Sequence, residues 1–257
     1  MPEPSLREIL AFATEAAWQA GRITLQYFQT GVAVERKADD SPVTVADRSA
    51  ELRLREMIRG RFPDDAILGE EHGEVEGSSG RRWIIDPIDG TKSFIHGVPL
   101  YGVMMGVEID GAPAVGVVNM PALNEMVCAA KGLGCTWNGR PARVSAVSEM
   151  VEAVVLCTDF EDIYRHGKGD AYHRLRDEAR FVRGWGDCYG HVLVATGRAE
   201  VMLDPVMNVW DCAALPPILE EAGGTFTDWT GVATIWGGDA VATNGALFDA
   251  VMEKLKR

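Results

Sequence analysis

Four acidic residues stand where the texture of the chain changes. Glu70 follows Ile67-Leu68-Gly69, Asp86 and Asp89 follow Trp83-Ile-Ile, and Asp211 precedes Cys-Ala-Ala. The stretch Trp83-Ile-Ile-Asp86-Pro-Ile-Asp89-Gly-Thr-Lys-Ser-Phe94 reads as an apolar strand that ends abruptly in two aspartates separated by a Pro-Ile step. Carboxylates at a strand's exit are held by the sheet while facing a crevice. Hard divalent cations take oxygen ligands, so Asp86, Asp89 and the carbonyl of Ile88 form a plausible half-cage, stiffened by Pro87. Asp89-Gly90-Thr91 then opens a short helix whose free N–H groups suit a phosphate. Taken alone, the run is also readable as an ordinary turn with a helix cap, and Asp211 as a dipole-favoured cap.

The elements that must position these residues follow from periodicity. Ser5-Leu-Arg-Glu8 is a capping box, and Leu6, Ile9, Ala13, Ala16, Ala20, Ile23 and Tyr27 have the spacing of a long helix that stops at Gly31. After a polar loop around 37–42, a second helix starts near Thr44, with Ala46, Ala50, Leu54 and Ile58 inward, and pairs with the first on a sheet. From Ala66 to Ala130 short β-like runs alternate with turn signals such as Asp110-Gly111, so the middle of the chain is a mainly antiparallel sheet. Beyond Val151 strands at 151–157, 180–183, 200–203 and 240–243 alternate with helices near 171–179, 189–196, 211–222 and from 245. The chain therefore divides at a seam into residues 1–150 and 151–257, inside one compact body.

Composition narrows the partners. At 257 residues, 47% of them hydrophobic, the chain is long enough for a large core. Its net charge of −13 leaves no basic face for nucleic acid or an anionic membrane, and no apolar run is long enough to span a bilayer. Five cysteines without a C-x-x-C read as reduced, mostly buried thiols of a soluble cytoplasmic protein. The five histidines show no zinc spacing, and His191 reads as a packed or capping residue.

Gly69-Glu70-Glu71, Asp86-Pro-Ile-Asp-Gly-Thr91 and Trp210-Asp211-Cys-Ala-Ala214, with Glu221-Ala-Gly-Gly224 behind, together resemble the inositol monophosphatase family of metal-dependent phosphatases. Within it, Asp-Gly-Thr-Lys-Ser-Phe and Arg183-Gly-Trp-Gly-Asp-Cys-Tyr-Gly190 are most similar to the histidinol-phosphate phosphatase branch. The resemblance implies an α/β layered αβαβα sandwich of the sugar phosphatase type, two or three Mg²⁺ ions (Mn²⁺ as an alternative), sensitivity to Li⁺ and a homodimer. It assigns Glu70, Asp86 and the Ile88 carbonyl to one metal and Asp86, Asp89 and Asp211 to a second. Glu70 and the Thr91 hydroxyl, backed by Asp47, would orient the attacking water, and the Gly90 and Thr91 amides would hold the phosphate. Asp47, three residues after Thr44, has a second reading as a capping partner.

For the alcohol end of a small phosphorylated metabolite, the expectation is that Asp204 and Asp187 pair with the ammonium of histidinol phosphate. Trp185 or Tyr189 would border the imidazole, and Arg183 would contact the substrate. Each is also readable as a surface group. The competing readings are a phosphatase of inositol monophosphate, fructose bisphosphate or 3′-phosphoadenosine 5′-phosphate, and a noncatalytic binding member of the fold.

Overall fold

In the computed structural model, which describes residues 3–256, the first helix, α1 (Leu6–Tyr27), begins at the expected capping box. Ser5 receives the Glu8 amide while the Glu8 carboxylate receives the Ser5 amide at 2.8 Å. The polar loop that follows is shaped into a hairpin, β1 (Val34–Arg36) and β2 (Pro42–Thr44). Helix α2 (Val45–Arg61) starts at a second capping box, Thr44 with Asp47, and Ala46, Ala50, Leu54 and Ile58 are all buried.

The next stretch builds an eight-stranded sheet. Its members are β3 (Ala66–Gly69), β4 (Gly73–Val75), β5 (Arg81–Asp89), β6 (Gly102–Ile109), β7 (Ala112–Met120), β8 (Glu125–Ala130), β9 (Gly134–Trp137) and β10 (Arg140–Pro141). The spatial order is β10-β9-β8-β7-β6-β5-β3-β4, antiparallel except where β3 runs parallel to β5. A short helix, α3 (Thr91–Ile95), leaves the end of β5.

The second half adds β11 (Val154–Cys157), α4 (Phe160–Arg165), α5 (Gly169–Glu178), β12 (Phe181–Arg183), α6 (Asp187–Ala195), β13 (Val201–Asp204), α7 (Val209–Cys212), α8 (Leu215–Ala222), β14 (Thr225–Thr227), β15 (Ala240–Thr243) and α9 (Phe248–Lys256). Its sheet has the order β12-β11-β13-β15-β14, with parallel and antiparallel pairs. The expected 151–157 strand opens instead with a 3₁₀ turn, Met150–Glu152. The expected 211–222 helix is two helices, because Pro216 and Pro217 lack the N–H groups to continue α7 and occupy the first turn of α8.

Alternation along the strands sorts side chains into layers. Trp83, Ile85, Val103, Met105, Val115 and Val117 pack under α1 and α2. Ile84, Met104 and Val118 face the other way, onto α6, α8 and Met202 of the second sheet. Val155, Val201, Leu203 and Val241 turn from that sheet toward Tyr172 and Leu175 of α5 and Val251 of α9. The result is the expected αβαβα sandwich.

Candidate active site

Strand β5 does not stop at Asp86; it continues to Asp89 through an irregularity. Asp86 pairs with Met104 and Asp89 with Gly102, so three steps on β5 match two on β6. Residues three apart on a regular strand face opposite ways, and one extra residue restores them to the same side. Pro87, which has no N–H to offer the ladder, sits in this bulge, and the Ile88 amide donates to Asp86 Oδ1 at 2.9 Å. The side chain of Ile88 is buried with Ala46, Phe94 and Tyr101.

Asp211 reaches the same place from the second half. It lies in the first turn of α7, its Oδ2 accepting the Asn208 amide at 2.7 Å. Close approach of this segment to the sheet requires two glycines paired across β6 and β7. A Cβ on Gly106 or Gly116 would lie 2.5 Å from Ala213 or 1.9 Å from Ala214. Oxygens of Asp86, Asp89 and Asp211 consequently lie within 4.8 Å of one another. Asp89 also accepts the Cys188 amide from the start of α6.

Glu70 directly follows β3, the parallel neighbour of β5, its amide donating to the Ile85 carbonyl. Its Oε1 is 2.7 Å from Lys37 Nζ, and the same ammonium lies 2.6 Å from Glu71 Oε1. Burial raises Glu70 to about 7 against the pull of Lys37, and raises Asp211 to about 6. Asp86 is pushed well above the ordinary carboxylate range by burial and by the charges of Glu70, Asp89 and Asp211; Asp89 likewise by burial, Asp187 and Asp211. Among the described residues no basic side chain forms an ion pair with Asp86, Asp89 or Asp211. Three converging, mutually repelling carboxylates with all-oxygen donors fit a hard cation.

Thr91 opens α3, and its Oγ1 donates to the Ile88 carbonyl at 3.0 Å. The expected backing of Thr91 by Asp47 is not a hydrogen bond in this structure. Asp47 Oδ2 is engaged with the amide and hydroxyl of Thr44, its cap partner, while its Oδ1 is buried without a partner.

A cleft of about 460 Å³ is lined by Glu70, Asp86, Ile88, Asp89, Gly90, Thr91 and Asp211, and its far side by Thr158, Asp159, Asp162 and Asp187. Asp187 has a left-handed backbone (φ 51°), anchored by its amide to Thr158 Oγ1, and its carboxylate lies against Gly90. Burial and the charges of Asp204 and Asp211 raise it to about 7.

The other substrate-side candidates lie outside the lining of this cleft. Asp204 is buried outside the cleft lining, its Oδ2 2.9 Å from Nε2 of the fully buried His191. Parity explains this: Asp204 shares the face of Met202, the face covered by α6. Arg183 ends an edge strand in solvent, donating to the Val182 carbonyl with its guanidinium over Phe181. Trp185 is 41% exposed outside the cleft, and Tyr189 packs beside Arg198 against the inner core. Sequence reasoning missed Lys37, Thr158, Asp159 and Asp162; Lys37 lay in a loop whose hairpin was not expected. An acidic helix start at Asp159-Phe-Glu-Asp162 was the available signal for α4.

A family model described as the inositol monophosphatase family matches residues 5–257. The chain is 50% identical to the histidinol-phosphatase of Chlorobaculum parvum, covering 93% of each chain. It is 39% identical to the histidinol-phosphatase of Mycobacterium tuberculosis, covering 96% of this chain and 97% of the other. The solved inositol monophosphatase of Anabaena superposes with a TM-score of 0.86 at 32% identity, over 98% of this chain and 96% of that one.

Proposed function

We propose that this chain, which belongs to the inositol monophosphatase family, hydrolyses histidinol phosphate to histidinol and inorganic phosphate. The chain is a phosphoric monoester hydrolase of a metal-dependent family. The observation that carries the choice of ester is the likeness, over nearly the full length, to two histidinol-phosphatases. The cleft is consistent with it: Asp159, Asp162 and Asp187 make the wall beyond the carboxylate cluster acidic, which suits an alcohol carrying an ammonium and an imidazole.

In this reading Glu70, Asp86, Asp89, Asp211 and the Ile88 carbonyl hold Mg²⁺, or Mn²⁺ in its place, two or three ions in all. Bound there, the metal supplies positive charge against the phosphoryl oxygens and lowers the pKa of water. Glu70, at the edge of the carboxylate cluster, accepts the proton of the attacking water. Thr91, held by the Ile88 carbonyl, orients that water through its hydroxyl, and the amides of Gly90 and Thr91 receive the phosphate. Water attacks phosphorus, the P–O bond to histidinol breaks, and the departing alkoxide takes a proton from solvent water in the open cleft, while the proton on Glu70 returns to solvent. Asp47 contributes from behind as the cap that fixes the start of α2. Residues 1–150 supply Glu70, Asp86 and Asp89, and residues 151–257 supply Asp211 and the acidic wall.

A homodimer and inhibition by Li⁺ belong to the same proposal, as does a cytoplasmic setting, which suits five free cysteines of which four are buried. No described helix is long and apolar enough to cross a membrane. The test is phosphate release from histidinol phosphate, inositol monophosphate, fructose bisphosphate and 3′-phosphoadenosine 5′-phosphate, with Mg²⁺ and with EDTA. A Mg²⁺-dependent preference for histidinol phosphate supports the reading; preference for another ester removes the substrate and keeps the chemistry.

A further inference from the structure

The buried face of α2 carries a charged side chain that the hydrolytic chemistry does not use. Glu51 has no exposed side-chain surface, and both of its oxygens are committed. Oε2 accepts the amide of Glu71 at 2.7 Å. Oε1 accepts the amide of His72 at 3.1 Å and Arg55 Nε at 2.7 Å, with His72 Nδ1 at 3.3 Å. Arg55, one turn further along α2, donates its Nη2 to the Gly73 carbonyl. The turn from Glu70 to Gly73 is thus clasped at three successive residues by one ion pair. The strand has been shaped to admit that clasp: a Cβ on Gly69 would lie 2.4 Å from Glu51 Oε1 and 2.8 Å from Arg55 Nη2.

We propose that Glu51 is a positioning residue that fixes the backbone of Glu70, so that the Glu70 carboxylate is presented to the cation bound by Asp86. The inference rests on the metal reading of the carboxylate cluster and not on the identity of the ester. Glu51 itself does not ligate, because both of its oxygens are turned to the amides of Glu71 and His72 and to the Arg55 guanidinium. Its hold is on the residue next to Glu70, and a bond at Glu71 N leaves the Glu70 peptide little freedom to rotate. The Lys37 ammonium, shared with Glu71, already holds Glu70 Oε1 and competes with the cation for it, so the backbone clasp limits how far Glu70 can follow Lys37 away from Asp86. Groups one step behind a ligand typically change metal affinity by about 10- to 100-fold when replaced.

Glu51→Gln puts an amide NH₂ against amide and guanidinium donors while keeping size and shape. Arg55→Lys is a milder change that keeps the charge and loses the Gly73 contact. The measurement is Mn²⁺ binding to the full chain without substrate, with the free ion counted by its paramagnetic resonance signal, alongside kcat at saturating Mg²⁺. Glu51→Gln is expected to weaken Mn²⁺ binding by about tenfold or more, with kcat at saturating metal nearly retained and KM for the ester unchanged; Arg55→Lys weakens it less, in the same direction. A folded variant that binds Mn²⁺ as the parent does, having lost only thermal stability, overturns the proposal and leaves Glu51 a structural ion pair. If Glu51→Gln does not fold, Arg55→Lys decides by the same criterion. Failure of the parent itself to bind Mn²⁺ is a different result: it removes the metal reading and this inference with it.

Discussion

Nε2 of His191 stands 2.9 Å from Oδ2 of Asp204, and both side chains are buried, so this carboxylate is satisfied inside the protein and is not offered to a ligand. Removing it leaves the imidazole without its partner in a site that water does not reach. Asp204→Ala is therefore expected to cost roughly 1–3 kcal/mol of stability, read as a lower denaturation midpoint with an unchanged slope. KM for histidinol phosphate stays where it was. A rise in KM without loss of stability would return Asp204 to the substrate.

Asp187 is the contrasting case, since it lines the cleft and sits against Gly90. Asp187→Asn removes a charge without changing shape. If Asp187 meets the ammonium of the substrate, KM for histidinol phosphate rises by about tenfold, the equivalent of about 1.4 kcal/mol, while KM for the uncharged inositol ring is little altered. An equal rise for both esters would assign Asp187 to the common metal and phosphate machinery.

Asp86 carries opposite consequences for stability and for catalysis. Its carboxylate is buried beside Glu70, Asp89 and Asp211, so ionisation there is costly without a cation. Asp86→Asn is expected to raise the melting temperature of the metal-free protein while lowering kcat/KM by at least about a hundredfold. Calorimetry in EDTA and a phosphate-release assay check the two halves. A fall in melting temperature would show that the cluster is held together by hydrogen bonds and not strained by charge.

What was legible in the sequence was local. Glu70, Asp86, Asp89 and Asp211 follow strands or open helices whose apolar periodicity is plain, and both capping boxes formed where their spacing put them. What was not legible depended on parity and on distant pairing. The bulge at Pro87 that brings Asp86 and Asp89 to one side is visible only in the β5–β6 register. Asp204 and Asp187 read alike as acids near element ends, yet one turns under α6 and the other into the cleft. Lys37 meets Glu70 across 33 positions of sequence through a hairpin that a three-residue strand signal is too short to announce.

The metal-free protein should be a sensor of its own missing charge. Glu70 near 7 and Asp211 near 6 lie above their unfolded values of about 4.3 and 3.9. An acid whose pKa is raised by folding binds its proton more tightly in the native state. Its contribution is fully present below the unfolded value and is lost as pH climbs through the folded one. In EDTA, stability is accordingly expected to fall between about pH 4 and pH 7. Mg²⁺ needs the same oxygens deprotonated, so its affinity should rise across pH 6 to 8 with release of protons, and saturating metal should flatten the stability profile. Melting curves at several pH values, with Mg²⁺ and with EDTA, measure both effects. Parallel profiles in the two conditions would mean that the metal binds away from Glu70 and Asp211.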